Sequence, residues 1–256
     1  MNVDKNFDFE EAKKLITNPA ALESFLKSPT FKMLMDFICS LQKSVEGKSL
    51  LDIPFPSENQ SLTKFSKIFE KLQELIKETP PFEDPQRFGN KAFKLWYDKV
   101  EEIYDELIST IISNEKHPNL DKELKMYFLE CFGSGKRIDY GTGHELNFLC
   151  ILLILYVAEY FKQEEFDAVV CHVFWPYILL VRNLQITYKL EPAGAHGVWG
   201  LDEYHFLPFL FGASQLVGNQ EDITPASVHS EKILDSFEDR YMYLSCVKYV
   251  KKVEFY

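Results

Sequence analysis

Glycine is scarce in this sequence: 11 of 256 positions, about 4%, where globular chains use roughly 7%. Sparing it suits helices, because a glycine inside a helix costs about 1 kcal/mol relative to alanine. The glycines present are not spread evenly. Gly47 and Gly89 stand alone, four lie within residues 133–143 and five within 194–218. That distribution predicts a helical chain broken by two special loops. Other absences narrow the class further. No Asn-Gly or Asp-Gly pair and no convincing period-2 alternation occurs, so hairpins and half-buried strands have no signal. The longest uninterrupted apolar run, Phe148 to Ala158, has eleven residues, well short of the ~20 that span a bilayer. The start, MNVDKNFDFEEAKK, lacks the apolar stretch of a signal peptide. Cysteine is scarce and scattered: Cys39, Cys131, Cys150, Cys171 and Cys246 show no framework spacing and no C-x-x-C. Odd, isolated cysteines imply reduced thiols and an intracellular protein, expected in the cytoplasm with the nucleus also open. Basic charge is in deficit, 28 against 39 acidic residues for a net −11. This argues against nucleic acid and anionic membranes and leaves basic protein partners open.

What is present is apolar and periodic. Apolar residues make up 46% and aromatics 15%, enough for one or two packed cores and too much for disorder. Ser28-Pro29 opens a helix whose face is Phe31, Leu34, Met35, Ile38 and Leu41. Leu62, Phe65, Ile68, Phe69, Leu72 and Ile76 form the next stripe, ending before Pro80-Pro81. From Asp84-Pro85 to Ser113 a 3–4 spacing predicts one long spine helix. Residues 120–132 read as a shorter amphipathic helix, and Leu146 to Phe161, apolar almost all round, as a buried central one. Residues 164–188 continue helically with a kink expected at Pro176, and Ser230 to Tyr256 is again stripe-like. There is no internal repeat or low-complexity linker, and the fold class is all-α.

The two glycine windows carry the chemistry. The first, GSGKRIDYGTGHE (133–145), offers Lys136 and Arg137 as phosphate donors. Thr142 and Gly143 stand just before a long helix, whose unpaired first N–H groups favour an anion. The motif is not a P-loop, and a flexible turn with Thr142 as helix cap accounts for the same residues. Asp139, His144 and Glu145 have acid–base or metal-binding side chains, but Phe148 breaks the H-E-x-x-H pattern. Glu145 at a helix start also suits the macrodipole, and His144 suits a cap or a core. In the second window, EPAGAHGVWGLDEYHFLPFLFGASQL (191–216), Trp199 lies between Gly197 and Gly200 and beside Asp202 and Glu203. An aromatic ring on bendable backbone suits a proline-containing peptide; the bland alternative is that Trp199, Tyr204, Phe206, Phe209 and Phe211 fill a core. No G-x-S-x-G elbow exists, and Cys171-His172 lies inside an apolar helix.

Three segments, PFEDPQRFGNKAFKLWYDK (81–99), YFLECFGSGKRIDYGTGHELNFLC (127–150) and residues 191–216, resemble the phosphotyrosyl phosphatase activator family, the activators of serine/threonine phosphatase 2A. The resemblance runs in order from about residue 80; the amino-terminal 60 residues match only in helical character. It implies a multi-helix all-α fold with core, linker and lid parts around a deep pocket, as one domain over 1–256. It also implies a chaperone of the phosphatase catalytic subunit with peptidyl-prolyl cis–trans isomerase activity, assisted by ATP and magnesium. The alternative is a non-enzymatic phosphatase-binding chaperone in which ATP only stabilises the complex. By resemblance, Arg137, Thr142 and Gly143 contact the nucleotide, and Gly197 and Glu203 are the magnesium positions. Family members more often carry Asp where Glu203 stands. Trp199 and Asp202 are tied to peptide binding and isomerisation. The expected partners are the catalytic subunit and a proline-containing peptide, with the chain a monomer or a peptide-induced dimer. Members continue past the equivalent of Phe255-Tyr256 with a segment that completes the nucleotide pocket, so unaided ATP affinity is expected to be reduced.

Overall fold

In a computed structural model, described over residues 8–84, 88–113, 115–194 and 202–253, the chain is helical almost throughout. Helices α1 (Pro19–Leu26) and α2 (Pro29–Ser44) each begin with proline at a first-turn position. There its missing N–H costs nothing. Asn18 Oδ1 and Ser28 Oγ cap them by accepting the N–H groups of Ala21 and Phe31 at 2.9 and 3.1 Å. Helix α3 (Gln60–Glu78) buries the stripe read from the sequence: Leu62, Phe65, Ile68, Phe69, Leu72 and Ile76.

The single spine expected over 84–113 is instead two helices, α4 (Ala92–Glu102) and α5 (Tyr104–Ile111), broken at Ile103. The start moves inward because of Asn90. Its Oδ1 accepts from Ala92 N–H at 3.0 Å and Phe82 N–H at 3.1 Å, and its Nδ2 donates to the Phe82 carbonyl at 2.9 Å. Lys91 is the cap residue and makes no side-chain cap bond; Asn90, one residue earlier, takes the first N–H of α4 and moors the proline-rich approach to it.

Helix α6 (Leu120–Glu130) leads into the first glycine window, and α7 (Thr142–Val157) is the buried centre. Phe148, Leu149, Ile151, Leu152 and Leu155 on α7 are at most 1% exposed. Phe148 stacks on Tyr177 with ring centroids 3.8 Å apart. The next helical stretch comprises α8 (Phe166–Val169), a π-helical turn (Val170–Phe174) and α9 (Trp175–Tyr188). The kink expected at Pro176 is expressed as that wide turn. Proline donates no N–H to the carbonyl four residues back and its ring crowds it, so a wider turn immediately before it relieves both problems. Residues Gln163–Tyr188 are long and apolar enough to cross a membrane, but 72% of that apolar window is buried inside the fold. Two short strands, β1 (Asp139–Tyr140) and β2 (Glu191–Pro192), pair in parallel. Helices α10 (Leu207–Gln215), α11 (Glu231–Phe237) and α12 (Met242–Val253) complete the described chain. A small second core of Ile223, Leu234, Tyr241 and Leu244 lies beneath α11 and α12.

Candidate functional site

The first glycine window folds back on itself before entering β1. Ile138 N–H donates to the Ser134 carbonyl at 2.7 Å, and Ser134 N–H to the Asp139 carbonyl at 3.0 Å. Gly133 adopts φ +112°, and a Cβ there would stand 2.6 Å from the Asp139 carbonyl oxygen. Only glycine fits. Arg137 leaves this loop with its side chain 61% exposed and donates from Nε to Asp139 Oδ2 at 2.6 Å. Its terminal nitrogens have no hydrogen-bond partner among the described residues, so the outer half of the fork faces outward unclaimed. The other Asp139 oxygen lies 3.7 Å from His144 Nε2. His144 is 6% exposed, bonds through Nδ1 to the Glu130 carbonyl and stacks on Tyr140. It is a core histidine, one of the two roles the sequence allowed.

Thr142 and Gly143 form the exposed first turn of α7. The cap is Gly141, with no side-chain cap bond, so the capping role open to Thr142 is not realised. A Cβ built on Gly143 meets nothing within 4 Å among the described residues. Among the described residues, nothing packs against Gly143 at the positive end of the α7 dipole.

The second window is joined to the first at three places. Glu191 N–H donates to the Ile138 carbonyl at 3.0 Å and Ala193 N–H to the Tyr140 carbonyl at 2.8 Å, making the β1–β2 ladder. Gly141 packs against Ala193, where an added Cβ would come within 3.1 Å of the alanine methyl. The third link is Glu145. Its Oε2 accepts the N–H groups of Phe206 and Leu207 at 3.1 and 3.0 Å, so a side chain on α7 caps α10. Its position near the start of α7 suited that helix's own dipole, but the contact it makes belongs to another helix.

Glu145 lies in a buried polar network that the sequence reading missed. Burial pushes its carboxyl up to about 8 against the opposing effect of the two N–H donors. His205 Nδ1 stands 3.6 Å away, and burial holds that imidazole down to about 3. His205 Nε2 is 3.1 Å from Gln185 Nε2, and Gln185 Oε1 accepts from the Tyr249 hydroxyl at 2.6 Å. Arg182, 6% exposed, lies between the Trp175 and Tyr249 rings, with its carbon 5.1 and 4.5 Å from their centroids, and bonds to Ser245 and Cys246. A signal was available: Arg182 and Gln185 are spaced three apart, with only Asn183 as a further polar residue in YILLVRNLQ. Periodicity registers apolar positions and passes over such polar intruders.

Trp199 and Gly197 lie outside the described residues. Asp202 and Glu203 are partly buried. Asp202 Oδ1 accepts from Tyr204 N–H at 2.6 Å and His205 N–H at 3.2 Å, while Oδ2 is buried without a hydrogen-bond partner among the described residues. Beside Glu203, the Tyr204 hydroxyl donates to the Leu190 carbonyl at 2.7 Å. Of the ring residues assigned to a possible core, Phe209 and Phe211 are buried, and Phe206 is 60% exposed. Among the described residues no group of three His, Cys, Asp or Glu is placed to hold a metal. Glu203 alone makes no protein cage; magnesium there would draw most of its oxygens from phosphate and water. The Cys171 thiol, 5% exposed and pushed up to about 12 by burial, is no nucleophile.

Comparison with known proteins agrees with this architecture. Residues 12–255 match the family model described as "Phosphotyrosyl phosphate activator (PTPA) protein". The chain is 40% identical over 268 residues to a Dictyostelium discoideum protein named "Probable serine/threonine-protein phosphatase 2A activator 2", covering 99% of this chain and 55% of that one. It is 37% identical to that organism's "Probable serine/threonine-protein phosphatase 2A activator 1", covering 98% of this chain and 76% of the relative. A Drosophila melanogaster "Serine/threonine-protein phosphatase 2A activator" is 36% identical, with 94% of this chain and 60% of that one covered. This chain thus spans between about half and three quarters of those relatives' lengths. The crystal structure titled "PP2A phosphatase activator Ypa1 PTPA1" superposes with a TM-score of 0.81 at 26% identity, covering 96% of this chain and 78% of that one. With residues 12–255 of the chain matching the family model and the fold shared, the chain belongs to the phosphotyrosyl phosphatase activator family.

Proposed function

We propose that this chain activates the catalytic subunit of phosphatase 2A, working as a chaperone and prolyl isomerase with ATP and magnesium at one composite site. The observation that carries the reading is the joining of the two glycine windows by the β1–β2 ladder and the Glu145 cap. In this reading the outer edge of Arg137 and the first turn of α7 at Thr142 and Gly143 hold phosphate. Glu203 and the Gly197 carbonyl would hold magnesium, which supplies neutralising charge to the phosphates. Trp199 and Asp202 grip a proline peptide.

Prolyl isomerisation makes and breaks no covalent bond, and its barrier of ~18–20 kcal/mol falls when a site binds the twisted peptide best. Asp202 suits positioning better than proton transfer: one oxygen is held by two backbone N–H groups, which fixes the backbone that follows it at Tyr204 and His205. That geometry also serves the second reading, a binding chaperone without turnover.

Reactivation of inactive catalytic subunit by the chain with ATP and magnesium, read as phosphopeptide hydrolysis, tests the proposal. The wild-type chain is expected to reactivate it, and Asp202→Gly and Trp199→Gly to lose reactivation and isomerase turnover of a proline peptide together. Failure of the wild-type chain overturns the proposal. Loss of reactivation with unchanged turnover separates the activities and leaves the binding chaperone.

A further inference from the structure

A concave surface lies away from the glycine windows. It is an open groove of about 770 Å³ between the Glu78–Glu83 segment and the outer face of α4, where Leu95, Asp98, Lys99 and Glu102 line it. Its floor is apolar and exposed: Phe82 is 46% and Leu95 48% accessible, with Pro80 and Pro81 beside them. Its wall is built in advance. Asn90 holds Phe82 by both backbone groups, and the Thr79 hydroxyl is bonded to the Leu75 carbonyl at 2.6 Å and the Tyr188 hydroxyl at 2.8 Å. An occupant therefore meets a fixed surface and pays little ordering cost on the protein side.

The charge lining this floor is predominantly negative. Glu78, Glu83, Asp98 and Glu102 stand against Lys99 alone, a local balance of −3. Lys99 is engaged by Glu78 at 3.0 Å, and Asp98 by Lys94 at 2.9 Å. Glu83 and Glu102 have no ion-pair partner among the described residues. Two free carboxylates flanking exposed phenylalanine, proline and leucine form an acidic rim around an apolar floor, the arrangement that marks interaction surfaces. A second copy of this chain, at net −11, is a poor electrostatic match.

From this we infer that the groove docks an extended segment of a partner protein in which basic residues alternate with apolar ones. The apolar side chains cover Phe82 and Leu95, and the basic ones pair with Glu83 and Glu102. The site is separate from the composite site proposed above and independent of it.

Fluorescence polarisation tests the inference with a labelled peptide alternating arginine and leucine, compared with a glutamate–leucine peptide of equal length. The wild-type chain is expected to bind the first and not the second. The double reversal Glu83→Lys/Glu102→Lys is expected to weaken binding at least tenfold, as is Leu95→Ser. Because any basic peptide is attracted to an acidic protein, Asp36→Lys/Glu46→Lys supplies an equal charge change at exposed positions outside the groove and is expected to stay within twofold of wild type. Circular dichroism confirms that each variant is folded. Absence of binding, or equal weakening by the groove and control reversals, overturns the inference.

Discussion

Glu145 shows what one side chain can hold. It sits in the first turns of α7, points its carboxylate into the protein and caps α10, 61 and 62 residues further along the chain. Burial raises its proton affinity from a free value near 4.5 to about 8. The folded state therefore keeps a proton that the unfolded chain has released. Stability from this group is full below pH 4.5 and is lost as pH rises through about 8, a change of several kcal/mol. His205 acts in the opposite sense: held near 3 when folded, it lowers stability as pH falls from about 6.5 towards 3. Urea midpoints at pH 6 and pH 9 check the first claim. Wild type is expected to lose stability between them, and Glu145→Gln to show a much smaller loss. Glu145→Ala, which strands the Phe206 and Leu207 N–H groups, is expected to cost about 2–4 kcal/mol at pH 6 and clearly less at pH 9, where the wild type has lost its own contribution from this group.

At the level of elements, the helices with one clear apolar face were readable. The α2 and α3 stripes come out buried as read, apart from the edge residues Phe31 and Met35. Boundaries were harder where a side chain from elsewhere decides them. Asn90 starts α4 at Ala92, and the break at Ile103 leaves the spacing of apolar residues intact, so periodicity reads one helix where there are two. Crossings are the other hidden quantity. Gly212 on α10 abuts α12 so closely that an added Cβ would lie 2.2 Å from the Tyr243 amide nitrogen. Gly212→Ala must push the two helices apart, and about 3 kcal/mol of destabilisation is expected in a urea titration. Gly143→Ala, whose methyl meets none of the described residues, is expected to leave stability unchanged or raised by up to about 1 kcal/mol.

At the scale of the whole molecule, the two glycine windows become neighbours although some fifty residues separate them. Arg137 is exposed and anchored only through Nε, so Arg137→Ala is expected to leave the melting temperature within a degree or two. If its free edge holds phosphate, the same variant binds ATP with magnesium at least tenfold more weakly in a calorimetric titration. Equal affinities would remove Arg137 from the site.

The division between what was readable and what was not follows range. Helical class, the two unusual loops and the membership carried by RIDYGTGHE and GVWGLD are local properties of composition, spacing and motif, and they stand in the linear chain. The β1–β2 ladder, the cap that α7 lends to α10 and the Glu145–His205–Gln185–Tyr249 network depend on partners 20 to about 60 residues apart. Their cause is the cost of burying a polar group unpaired. That cost specifies that a partner must exist, and only the packed chain decides which one.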